Sequence, residues 1–99
     1  MNILVIGSGA REHALCHALT ADPEVDQVAC APGNAGIAQL ASTHRVEPTH
    51  PAAVVALARR LGAQLVVIGP EAPLVSGVAD AVRAAGIACF GPSAAAARL

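Results

Sequence analysis

Four short apolar runs, each closed by a turn rich in glycine or proline, constrain this chain more than any other feature. Residues 2–6 end in Gly7-Ser8-Gly9, and residues 26–31 end in Pro32-Gly33-Asn34-Ala35-Gly36. Residues 64–68 end in Gly69-Pro70-Glu71-Ala72-Pro73, and residues 87–90 in Gly91-Pro92-Ser93. Between them, apolar residues recur at helical spacing: Ala10, Ala14, Leu15, Ala18 and Leu19; then Val54, Val55, Leu57, Ala58 and Leu61; then Leu74, Val75, Val78, Ala79 and Val82. Short runs that are apolar on both faces and alternate with helices predict a parallel sheet covered on both sides and joined by right-handed crossovers. The expected fold is α/β, a doubly wound parallel sheet of about five strands, with residues 43–46 as the remaining strand.

Local signals place the helix ends. Pro51 suits a first helical turn, while Gly62 and Gly86 are natural stops. Residues 37–40 have room for one helical turn. Ser93 is placed to cap a helix that begins at residues 94–99 and meets no stop signal, which leads us to expect continuation into a larger protein.

Composition excludes several classes of function. The formal net charge is −1, and the six basic residues, Arg11, Arg45, Arg59, Arg60, Arg83 and Arg98, are scattered. No stripe exists to neutralise a nucleic-acid backbone, so no nucleic-acid partner is expected. No apolar run approaches the roughly 20 residues that span a bilayer, and Met1 leads directly into a strand, so no membrane partner and a cytoplasmic location are expected. Cys16, Cys30 and Cys89 are odd in number and lie in apolar segments, which suits buried free thiols.

In open α/β sheets ligands bind beyond the carboxyl ends of the strands, and the four Gly/Pro-rich loops lie there. Gly7 and Gly9 free backbone N–H groups to hold a phosphate at a helix N-terminus. A dinucleotide fingerprint would need a third glycine at position 12, where Glu12 stands, and an acid at the end of the second strand, where Ala31-Pro32-Gly33 stands. The phosphate reading survives and the dinucleotide reading does not. Arg11 suits either pairing with that phosphate or exposure to solvent. His13 and His17 share a helical face, but nothing completes a metal set, so no metal site is expected. Asn34 suits either a sugar hydroxyl or support of its turn. Glu71, the one acid of a rigid loop, is placed to accept hydrogen bonds from a small ligand. Arg59, Arg60, Asp80 and Arg83 read as solvated.

Across essentially the whole chain, four segments together carry a resemblance. They are Val5-Ile6-Gly7-Ser8-Gly9-Ala10-Arg11-Glu12-His13-Ala14, Ala31-Pro32-Gly33-Asn34-Ala35-Gly36, Gly69-Pro70-Glu71-Ala72-Pro73-Leu74-Val75 and Phe90-Gly91-Pro92-Ser93. In order and spacing they resemble the amino-terminal domain of the phosphoribosylamine-glycine ligase family, enzymes of purine biosynthesis. The resemblance implies a Rossmann-like pre-ATP-grasp domain over residues 1–99 of an ATP-dependent carbon-nitrogen ligase. Such a ligase joins glycine to 5-phosphoribosylamine through an acyl phosphate, giving glycinamide ribonucleotide, ADP and phosphate. It implies that Gly7, Gly9 and Arg11 lie near the ligand phosphate, and Asn34, Pro70 and Glu71 near the sugar and amine. ATP and Mg²⁺ or Mn²⁺ would be bound by ATP-grasp domains beyond residue 99, leaving residues 1–99 without catalytic residues. The alternatives are the corresponding domain of another ATP-grasp enzyme and a non-catalytic module that binds a nucleotide or sugar phosphate.

Overall fold

A computed structural model describes residues 1–91, the side chains of Glu71 and Val75 excepted. The helix expected at residues 94–99 and its cap at Ser93 lie outside the described residues. In chain order the elements are β1 (Asn2–Gly7), α1 (Ala10–Thr20), β2 (Gln27–Pro32), a 3₁₀ turn (Ile37–Gln39), β3 (Ser42–Thr43), α2 (Pro51–Leu61), β4 (Leu65–Ile68), α3 (Glu71–Val75), α4 (Val78–Ala84) and β5 (Ala88–Phe90). The strands form one sheet in the order β3-β2-β1-β4-β5, and every pairing is parallel. This is the doubly wound α/β architecture that the alternating pattern predicts.

Because successive side chains of a strand point to opposite faces, each strand feeds two cores. Leu4 and Ile6 of β1, with Ala29, Ala31, Val66 and Ile68, pack against Val54, Leu57 and Ala58 of α2 and Val78, Ala79 and Val82 of α4. Ile3 and Val5, with Val28 and Cys30, pack on the other face against Cys16 of α1 and Ile37 of the 3₁₀ turn. Among the described residues the second face is only partly covered. Leu65 and Val67 of β4 are half-buried there, and Phe90, which pairs in register with Val67, is 72% exposed.

Several boundaries differ from the sequence reading. The third strand is Ser42–Thr43, not residues 43–46; Val46 has already left the sheet to pack on the α2 side. The apolar stripe from Leu74 to Val82 is two helices, since Gly77 at φ 85° breaks the run in a left-handed conformation. On α1 the inward stripe is Glu12, Leu15, Cys16 and Leu19, whereas Ala10, Ala14 and Ala18 face solvent. Arg83 is not merely solvated: its guanidinium donates to the carbonyls of Cys89 and Gly91 and holds the end of β5 against α4. Gly62, by contrast, closes α2 with φ 66°, as expected.

Candidate functional site

The sheet order brings three of the four Gly/Pro-rich loops side by side. Gly7 is level with Pro32, and Ile6 with Ile68, so β2, β1 and β4 end together. Backbone bonds continue the match one step further, from Gly33 N–H to the Gly7 carbonyl at 3.0 Å and from Gly69 N–H to the Ile6 carbonyl at 3.4 Å. The chain leaves β1 toward β2 on one side and enters β4 on the other, so the gap between the ends of β1 and β4 is the topological switch point, where ligands of open α/β sheets bind.

Gly9 is the N-cap of α1, and no side chain caps that end. The first N–H groups of an eleven-residue helix therefore face the loop without a side-chain partner, which suits an anion. Arg11, in the first turn, is exposed. A cleft of about 110 Å³ beside it is lined by Val5, Arg11, Glu12, Leu15 and Gly69.

Asn34 ties two loops together. Its Nδ2 donates to the Ser8 carbonyl at 2.8 Å, and its Oδ1 accepts from Ile37 N–H at 2.9 Å. The second bond is the turn-supporting role; the first bridges the β1 and β2 loops and leaves one amide hydrogen of Nδ2 to spare. Pro70 follows directly on Gly69 as the N-cap of α3, half-buried, and Glu71 is the first residue of that helix. The Glu71 side chain lies outside the described structure. Gly7, Gly9 and Arg11 thus converge with Gly69 around one crevice, and Asn34 joins them through Ser8. His13 and His17 are exposed on the outer face of α1, where they line a shallow depression with Ala10 and Ala14. Among the described residues no three metal-ligating side chains come together.

Sequence reasoning weighed Glu12 only as an obstacle to a third glycine. It is the one buried charged residue among those described, 5% exposed, and its side chain fills the crevice between the ends of β1 and β4. A β-carbon on Gly69 would come within 3.1 Å of its Oε1, and one on Gly9 within 3.4 Å of its Oε2. The spacing of Glu12 from Leu15, Cys16 and Leu19 was the available signal, being the i, i+3, i+4, i+7 pattern of an inward stripe.

The thiols of Cys16 and Cys30 are buried beneath the site, and that of Cys89 is half-buried in β5. Burial pushes the Cys30 thiol up to about 12, with Cys16 adding to the effect, and Cys30 Sγ donates to the Gly7 carbonyl at 3.3 Å. Burial also raises Cys16 and Cys89. All three are free cysteines. No helix among the described residues is long and apolar enough to cross a membrane.

Residues 1–99 match the family model described as phosphoribosylglycinamide synthetase, N domain. The chain is 68% identical over its full length to a phosphoribosylamine–glycine ligase of Streptomyces coelicolor and 66% identical to one of Mycobacterium bovis, covering 24% of each. It therefore spans about a quarter of the length of these relatives. Among solved structures, a phosphoribosylamine–glycine ligase from Thermotoga maritima shares the fold, with a TM-score of 0.67 and 23% identity over 99% of this chain and 21% of that one.

Proposed function

Since the chain belongs to the phosphoribosylglycinamide synthetase N-domain family, we propose that it is the amino-terminal substrate-binding domain of a longer phosphoribosylamine–glycine ligase. The full protein would join glycine to 5-phosphoribosylamine with ATP in purine biosynthesis, working in the cytoplasm. Residues 1–99 hold the phosphoribosyl part, while the ATP-grasp domains that accompany this domain bind ATP and Mg²⁺ or Mn²⁺. The divalent ion supplies charge neutralisation at the phosphates. By itself this domain is catalytically silent.

The observation that carries the reading is the uncapped N-terminus of α1 at the switch-point crevice, with exposed Arg11 in its first turn. A phosphate placed over Gly7 to Gly9 meets free backbone N–H groups, the positive end of the helix dipole and an exposed cation. The pentose then extends toward the loops of Asn34, Pro70 and Glu71. Asn34 has one amide hydrogen left for a hydroxyl, and Glu71 supplies a carboxylate to the hydroxyls or amine.

The deciding experiment is a titration of isotopically labelled chain with glycinamide ribonucleotide, following backbone amide shifts, with NADH and ATP as controls. Shifts at Gly7, Gly9, Arg11 and Asn34 with the ribonucleotide alone are expected. Shifts with NADH instead would replace this reading with dinucleotide binding.

A further inference from the structure

Glu12 is a charged residue whose side chain is turned inward rather than out to solvent. It is 5% exposed, it sits on the N-terminal turn of an eleven-residue helix, and it reaches the ends of β1 and β4 and the N-cap of α1. No hydrogen bond or ion pair from the described residues meets its carboxylate. Among the described residues no side-chain oxygen is both enclosed and unpartnered, so the Glu12 carboxylate, which lacks a protein partner, opens on the crevice, where a group arriving from outside can meet it. The cleft bounded by Val5, Arg11, Leu15 and Gly69 gives that group its access.

We infer that Glu12 is a specificity-determining residue of this site, its carboxylate accepting a hydrogen bond from a hydroxyl or amine of a phosphorylated sugar. The inference rests on the phosphoribosyl reading above and adds a residue to it. The site then has two poles about one crevice. The helix N-terminus and Arg11 take the anion, and Glu12, turned inward beneath the glycines, takes a donor on the sugar. A pyrophosphate lying across the same crevice would bring negative charge against Glu12, so the acid also selects against dinucleotides. A carboxylate that merely fastened two loops together would show hydrogen bonds to their N–H groups, and among the described residues Glu12 receives none.

The test uses the full-length protein and two probes, ribose 5-phosphate and inorganic phosphate, with Kd measured by calorimetry and Tm by differential scanning. Glu12→Gln keeps the shape and removes the charge. It is expected to weaken ribose 5-phosphate by about 10- to 100-fold, the range of a hydrogen bond to a charged group, and to leave inorganic phosphate unchanged. Its Tm without ligand should match that of the parent, because the carboxylate makes no protein hydrogen bond that the amide would lose and its oxygens reach solvent. Unchanged affinity for ribose 5-phosphate would overturn the inference, and so would a lower Tm with parallel loss of both probes, which marks a structural role. Gly69→Ala provides an independent variant, since its β-carbon would crowd the carboxylate at 3.1 Å. It too should weaken ribose 5-phosphate selectively; parent-like affinity would count against Glu12. If the parent binds neither probe, the phosphoribosyl reading itself fails, an outcome distinct from a parent that binds and variants that bind equally well.

Discussion

The side chain of Glu12 occupies the space that a β-carbon on Gly7 would need: such an atom would lie 2.5 Å from its Cγ and 2.7 Å from its Cδ. Gly7 also has φ 143°, a conformation that side-chain-bearing residues rarely adopt. Two separate costs therefore attend Gly7→Ala, backbone strain and collision, together about 2–4 kcal/mol of stability. Denaturant unfolding of the single and double variants separates them. Adding Glu12→Ala should recover the collision and leave the strain, so the double variant should be more stable than Gly7→Ala alone and less stable than Glu12→Ala alone.

Asn34 serves two loops through two atoms, and substitutions can part them. Asn34→Ala loses both bonds and should cost about 1–2 kcal/mol. Asn34→Asp keeps an acceptor for Ile37 N–H but sets a carboxylate oxygen against the Ser8 carbonyl. Amide hydrogen exchange reads the difference directly. Ile37 should lose protection in Asn34→Ala and retain it in Asn34→Asp, and equal exchange in the two variants would remove the side-chain bond from the account.

How much of this was legible beforehand follows from what each signal encodes. Strand β1 is apolar and buried on both faces, as a central parallel strand should be, and β4 shares its pattern although the described residues leave Leu65 and Val67 half-buried. Residues 43–46 misled because a two-residue edge strand carries too few side chains to show a period. The stripe from Leu74 to Val82 kept its spacing across Gly77, and the left-handed break there is a backbone property that apolar periodicity does not report. On α1 the many alanines suggested an inward face, yet the true face contains Glu12. A charged residue is counted as surface by any polarity rule, and only its spacing from Leu15, Cys16 and Leu19 betrayed it. The crevice itself was foreseeable from loop composition, whereas the Asn34 bridge to Ser8 depends on two loops distant in sequence.

Arg11 separates binding from stability. Its side chain is exposed and no hydrogen bond or ion pair from the described residues holds it, so Arg11→Ala should leave Tm unchanged. If it meets the ligand phosphate, the variant should bind inorganic phosphate about 5- to 10-fold more weakly in the full-length protein, as expected for one partly exposed charge-assisted contact. Raising the salt concentration should shrink that difference through screening. Equal phosphate affinity at low salt would return Arg11 to the solvated surface.

The chain contains no lysine and no tyrosine, so in alkaline solution its thiols titrate almost unaccompanied, arginine remaining charged. Burial raises all three thiols from 9.0, and Cys30 reaches about 12. Between these values the unfolded chain releases protons that the folded chain retains, so stability falls as pH rises. The contribution is fully present below pH 9.0 and, for Cys30, is lost progressively as pH approaches about 12. Each thiol can add a slope of up to about 1.4 kcal/mol per pH unit within its own window. Denaturation of the 99-residue chain from pH 7 to 11 should therefore show a plateau and then a decline beginning near pH 9.0. Cys30→Ala should make that decline shallower, and at pH 8 Cys16 and Cys30, both fully buried, should resist a thiol reagent until the chain is unfolded. A decline of unaltered slope in Cys30→Ala would mean that its thiol is reached by water in the folded state.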